Sequence, residues 1–218
     1  MSKATGKLFA KGNYKLDKSV GIFSLPPVIT CVNCATCKNT CYARQQFNQY
    51  TSTRRAWTYN HELSKTKEFY FKACEQLQQK GSKDIIRLHS SGDFYDNEYI
   101  DKWYNIIKDN PNKMFYTYTK NYANAKRLNE LPNCNVINSF IHGYRNYGTT
   151  EYCELLKQKF GAYVCTLDVH KDMKCMRDCK VCLTHDKVAI VIHGNKRKQD
   201  DYESKVIEKL RALPDYVG

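Results

Sequence analysis

The chain is 218 residues long, 42% hydrophobic and 13% aromatic, enough for one domain with a real core, so general disorder is excluded. No glycine-every-third repeat, sustained heptad or apolar run of about 18 residues occurs, which excludes collagenous, coiled-coil and helical membrane-spanning classes. Thirty-five basic against 22 acidic residues leave a net charge of +13, unevenly placed: the first fifty residues alone carry seven Lys or Arg and one acid, Asp17.

Along the chain, a short strand is expected around 21–23. The segment 51–80 reads as one long helix, with Trp57, Leu63, Phe69, Phe71 and Leu77 at roughly helical spacing and Gly81 as its stop. Strands follow over 84–89, 114–118, 135–140, 162–167 and 188–193. Between and after them stand helices over 97–109, 122–131, 151–160 and 201–212. Short strands alternating with longer helices predict βα units and a parallel sheet with right-handed crossovers. Five or six strands are too few for a complete eight-stranded barrel. The expected fold is therefore α/β: an incomplete TIM-like barrel of five to six parallel strands, or an open doubly wound sheet. No linker divides it, so residues 1–218 are read as a single domain. It carries an N-terminal cysteine loop at about 26–45 and a C-terminal one at about 165–186, both expected at the C-terminal rim. Chemistry in such folds sits at the carboxy-terminal strand ends, which singles out 89–93, 117–120, 139–142, 168–170 and His193.

The eleven cysteines are the most informative residues. Residues 1–16 lack the apolar region of a secretory signal, so a reducing cytoplasm is the expected setting. There, clustered thiols mean metal or redox chemistry rather than disulfides. The first set is Cys31, Cys34, Cys37 and Cys41, spaced x2, x2, x3. That is the spacing of a bacterial iron–sulfur run, with Tyr42 where the run has Pro. The second is Cys165 with Cys175, Cys179 and Cys182, able to close a cube or a tetrahedral zinc site; His170 and His185 flank it. A 4Fe–4S cluster, one or two of them, is the first expectation and zinc the alternative. Cys74, Cys134 and Cys153 stand alone and are expected to be small buried hydrophobes.

The ordered combination of Cys37-x3-Cys41-Tyr42-Ala43, the string from Arg87 to Phe94, the string from Phe115 to Lys120, and a cysteine-rich stretch before a strand ending His193-Gly194 resembles the phage gene product 88 family over residues 30–195. The resemblance implies a phage or prophage origin, a host-cytoplasmic setting and a metal-binding cysteine framework. More distantly, the pattern is similar to the radical S-adenosylmethionine enzymes, which hold a three-cysteine cluster at an incomplete barrel. On that likeness Ser91, Gly92 and Asp93 correspond to the turn that binds the cofactor's amino group. The cysteine spacing, Cys34-x2-Cys37-x3-Cys41, reverses the order those enzymes use.

His89, Asp93 and Lys120 are the candidate catalytic groups. Asp93 is placed either to accept from an amine or to cap the helix beginning near Asn97, with Arg87 as its ion-pair partner. Lys120 is placed to hold a phosphate or carboxylate, or simply to be solvated. Two functions are expected. One is an iron–sulfur protein with a radical-enzyme-like build performing redox or radical chemistry. The other is a non-enzymatic phage factor that binds nucleic acid through its basic surface, or a host protein, with the metal as a structural staple.

Overall fold

The computed structural model describes residues 6–32, 34, 37, 41–165, 173–191 and 201–217. The expected sites at 168–170 and His193, and the ends of the strands foreseen over 162–167 and 188–193, lie outside them.

Two strands open the chain: β1 (Ala10–Lys11) and β2 (Val20–Phe23). The long helix expected over 51–80 is two helices, α2 (Thr51–Ser64) and α3 (Glu68–Gln78), preceded by α1 (Tyr42–Gln49). The break between α2 and α3 is a tight turn. Lys65 and Thr66 donate back three residues to Glu62 and Leu63, the Thr66 hydroxyl also bonds the Leu63 carbonyl, and Lys102 bonds the Ser64 carbonyl. Hydroxyl back-bonding of this kind competes with helix propagation, a local effect that apolar spacing does not register.

Then follow β3 (Ile85–Leu88), α4 (Asn97–Lys108), β4 (Met114–Thr119), α5 (Tyr122–Ala125) continuing as a 3-10 turn over Lys126–Glu130, and β5 (Cys134–Asn138). A small antiparallel pair, β6 (Phe140–Ile141) and β7 (Tyr144–Arg145), leads to β8 (Tyr147–Gly148), α6 (Thr150–Phe160), β9 (Tyr163–Cys165), β10 (Val188–Val191) and α7 (Asp201–Arg211).

The architecture is mixed α/β with a mostly parallel five-stranded sheet. Its order is β1-β2-β3-β4-β5, and only the β1–β2 pair is antiparallel. A second, three-stranded parallel sheet has the order β8-β10-β9. Neighbours in the first sheet follow chain order, as in a βα barrel. In the second they do not, because β10 enters between β8 and β9.

Side-chain alternation along the strands gives the first sheet two apolar faces. On one, Phe23, Ile86, Leu88, Phe115 and Val136 meet α3, α4 and α5. The centre is Trp103, fully buried, with Phe23 and Phe69 edge-on to it at centroid distances of 5.0 and 5.4 Å. On the other face, Val20, Ile22, Tyr116 and Ile137 are covered by the 173–191 segment through Cys175, Met176, Cys182 and Val188. A third cluster packs α6 and α7 on the second sheet. There the buried Arg145–Glu203 pair, at 2.7 Å, lies under Tyr202, whose ring is 4.4 Å from the guanidinium carbon. Trp103→Ala removes the ring that joins three elements and is expected to destabilise the protein by about 3–5 kcal/mol, read from urea unfolding midpoints.

Candidate metal centre

The rim is built where β3 and β4 end. Beyond Leu88 the chain reverses through His89 (φ 56) and Gly92 (φ 81), both left-handed. Position 92 has to be glycine on contact grounds as well, since a Cβ there falls 2.6 Å from both Leu25 Cβ and Thr30 Oγ1. Leu25 and Thr30 lead into the first cysteine loop, and the turn is stitched to them. The Ser91 hydroxyl donates to the Leu25 carbonyl, and the Leu25 N–H donates to the Ser91 carbonyl, both at 2.9 Å. From the far end of the loop the Tyr42 hydroxyl donates to the Ser90 carbonyl at 2.6 Å. Ser91 and Gly92 thus hold the cysteine loop, and their polar contacts run inside the protein.

Asp93 is 4% exposed and joins the two strand ends. Its carboxylate accepts from the Phe94 N–H at 2.8 Å, the Lys120 N–H at 2.9 Å and the Thr119 hydroxyl. Burial pushes its pKa above the ordinary carboxylate value, against the pull of those three donors and the Lys120 charge. Asp93 therefore does not cap α4, and it does not pair with Arg87. The cap is Asp96, accepting from the Tyr99 N–H at 2.7 Å. Arg87 points to the opposite face, 5.6 and 5.2 Å from the ring centroids of Tyr116 and Tyr118.

Lys120, foreseen as an anion-holding or solvated residue, is largely buried and donates to Cys37 Sγ at 3.4 Å. Burial disfavours its charge, but Cys37, Tyr147 and Asp93 outweigh that and raise its pKa. Cys31 and Cys34 stand in the same loop; burial pushes the Cys31 thiol up to about 12. Cys41 stands directly before α1. The structure thus brings Lys120 to Cys37 and fastens Asp93 to the end of β4 at the carboxy-terminal rim.

The second set lies elsewhere. Cys175 exchanges backbone hydrogen bonds with Lys15 and Asp17, just before β2, and Asn135 at the start of β5 donates to the Cys182 carbonyl at 2.9 Å. The Cys175 and Cys182 backbone anchors are near the amino-terminal strand ends, whereas Cys165 ends β9, so the set is spread over the sheet face instead of standing together at the rim. The 173–191 segment covers that face, a long-range consequence that spacing does not encode. Cys182 lies 2.9 Å from the Tyr118 hydroxyl. A hydrogen bond with Cys175 brings Cys182 down to about 6, and Cys175 moves up correspondingly. His185 is exposed and bonded to the Thr184 hydroxyl.

Among the described residues, no three Cys, His, Asp or Glu side chains already stand together as a formed metal site. Soft donors in the first set still fit a soft metal: four thiols within eleven residues, one of which, Cys37, lies 3.4 Å from the partly buried Lys120 ammonium. Of the solitary cysteines, Cys134 and Cys153 are buried as expected, and Cys74 is half-buried beside Asn110.

Fold and site together define a mixed α/β protein with a cysteine-lined rim. A family model described as Gene product 88 matches residues 2–209, and the chain belongs to that family. It is similar to the Gene 88 protein of Mycobacterium phage L5, 32% identical over 74 residues. That match covers 32% of this chain and 30% of the phage L5 protein's length. No solved structure matches. No helix among the described residues is long and apolar enough to cross a membrane.

His89, a candidate acid–base group, is 4% exposed, bonded through Nε2 to the Tyr99 hydroxyl at 2.9 Å and enclosed by Phe94 and Phe23. Burial lowers its pKa from 6.5 to about 3, so it stays neutral and acts in packing. The unfolded chain binds the proton first, so His89 costs stability as pH falls below 6.5, by up to about 1.4 kcal/mol per pH unit. His89→Asn, which tolerates the left-handed backbone, is expected to remove that slope between about pH 4 and pH 6. Asp93 acts with the opposite sign in both proteins, so the difference between their urea midpoints isolates His89.

Proposed function

We propose that this phage-family protein binds a 4Fe–4S cluster at the rim through Cys31, Cys34, Cys37 and Cys41, in the reducing cytoplasm of the host. The observation that carries the reading is the Lys120 ammonium 3.4 Å from Cys37 Sγ, at the mouth of a loop clamped to the ends of β3 and β4. A cluster with four thiolates carries net negative charge, which such an ammonium offsets. The sheet, with its rim of functional side chains, is on this reading an incomplete barrel. Cys165, Cys175, Cys179 and Cys182 form a second soft-metal site at the far end of the strands, iron–sulfur or zinc, that staples the 173–191 segment to the sheet. When bound, the rim cluster supplies one-electron chemistry.

The protein's own residues do three things there. Asp93 sets the spacing of the two strand ends. Ser91 and Gly92 fix the cysteine loop. Lys120 balances charge beside Cys37. S-adenosylmethionine is the candidate co-substrate for the form in which three of the four thiols hold the cluster and one iron is open.

Protein purified without oxygen is expected to be brown, absorbing near about 400 nm and containing iron and acid-labile sulfide. Cys37→Ser should lose the rim cluster's share of iron, and Cys182→Ser the share of the second site. Cys74→Ser should retain all of it. Colourless, iron-free protein that holds zinc would replace the redox reading with a structural one, and full iron in Cys37→Ser would overturn the ligand assignment.

A further inference from the structure

From Lys18 to His61 the sequence contains no acidic residue, although Lys18, Lys38, Arg44, Arg54 and Arg55 lie within it. The α1–α2 limb occupies the second half of this interval. Its packing is light, with Ala43 the buried residue of α1 and Asn60 and Ser64 those of α2. What it presents instead is aromatic and basic. Tyr42 and Tyr50 are 58% and 51% exposed, and Phe47 stacks on Trp57 at 6.1 Å with an interplanar angle of 20°. Tyr50, Arg54 and Trp57 recur at helical spacing, so a guanidinium stands between two rings on one face of α2. Arg44, Arg54 and Arg55 are exposed, and the polar residues between them are Gln, Asn, Thr and Ser. Glu62, the one acid in the two helices, is paired with Lys65, so the three arginines of the limb are not balanced by carboxylates there.

We propose that the α1–α2 limb binds single-stranded nucleic acid. The arginines meet phosphates, and the tyrosine and tryptophan rings stack bases, which every sequence offers. A protein partner is disfavoured because the limb lacks an apolar patch large enough to anchor one. The limb adjoins the proposed metal site, since Cys41 precedes α1 and Tyr42 bonds Ser90, but the binding proposed here uses arginines and rings that ligate no metal, and the experiment reads it without iron.

Fluorescence anisotropy with a labelled single-stranded oligo-dT tests it. Binding is expected to weaken as salt rises. The triple variant Arg44→Gln, Arg54→Gln, Arg55→Gln should bind at least about tenfold more weakly, with a salt slope reduced by about 2. Trp57→Ala should weaken binding by about fivefold or more at every salt concentration and leave the slope unchanged. Lys205→Gln with Lys209→Gln, which removes two positive charges from α7, should stay within about twofold of the parent. Equal loss in the α7 variant, undiminished binding in the triple variant, or competition by polyglutamate as strong as by unlabelled oligo-dT overturns the proposal.

Discussion

One buried carboxylate organises the functional end of this protein. Asp93 takes hydrogen bonds from its own turn and from both residues that close β4, so the ends of two neighbouring strands are held at fixed separation. The cost of burying it is offset in part by three donors and a nearby ammonium. Everything at the rim depends on that junction. The Gly92 turn that precedes Asp93 grips Leu25 and Thr30 and hence the first cysteine loop, and the residue that follows Thr119 is Lys120, which reaches Cys37. Asp93, a candidate catalytic group by sequence, is in the structure the fastening between the turn after β3 and the end of β4.

Much of this was legible in the sequence because it rests on local pattern. The strands β3, β4, β5 and β10 stand where apolar runs and bounding turns put them, since side chains buried on both sheet faces leave little polar alternation to confuse the reading. The concentration of chemistry at the ends of β3 and β4 followed from the general rule for parallel sheets. What escaped were features set by contacts far apart along the chain. The pairing of Arg145 with Glu203 spans 58 residues, and nothing near either residue announces it. Arg87 looked like the partner of Asp93 because both belong to one strand end; pleating sends Arg87 to the opposite face, where tyrosine rings receive it. The insertion of β10 between β8 and β9 likewise leaves no local trace.

The two cysteine sets illustrate the same limit. Their spacings are equally suggestive, yet Cys37 of one meets Lys120 at the carboxy-terminal rim while Cys175 and Cys182 of the other lie over the sheet face. Spacing reports which thiols stand near one another along the chain. It is silent on where they lie in the fold, which for Cys175 is decided by its long-range backbone pairing with Lys15 and Asp17.

That placement has a consequence for how the molecule comes apart. The helices of the first sheet and those of the second build separate apolar clusters, and the side chains bridging them include Tyr116 and Ile137 from one sheet, Val188 from the other, and Cys175, Met176 and Cys182 lying across the seam. The seam is therefore itself a buried apolar cluster, three of whose members are thiols or thioethers, and a continuous core of this kind is expected to make the two sheets unfold together as one cooperative unit.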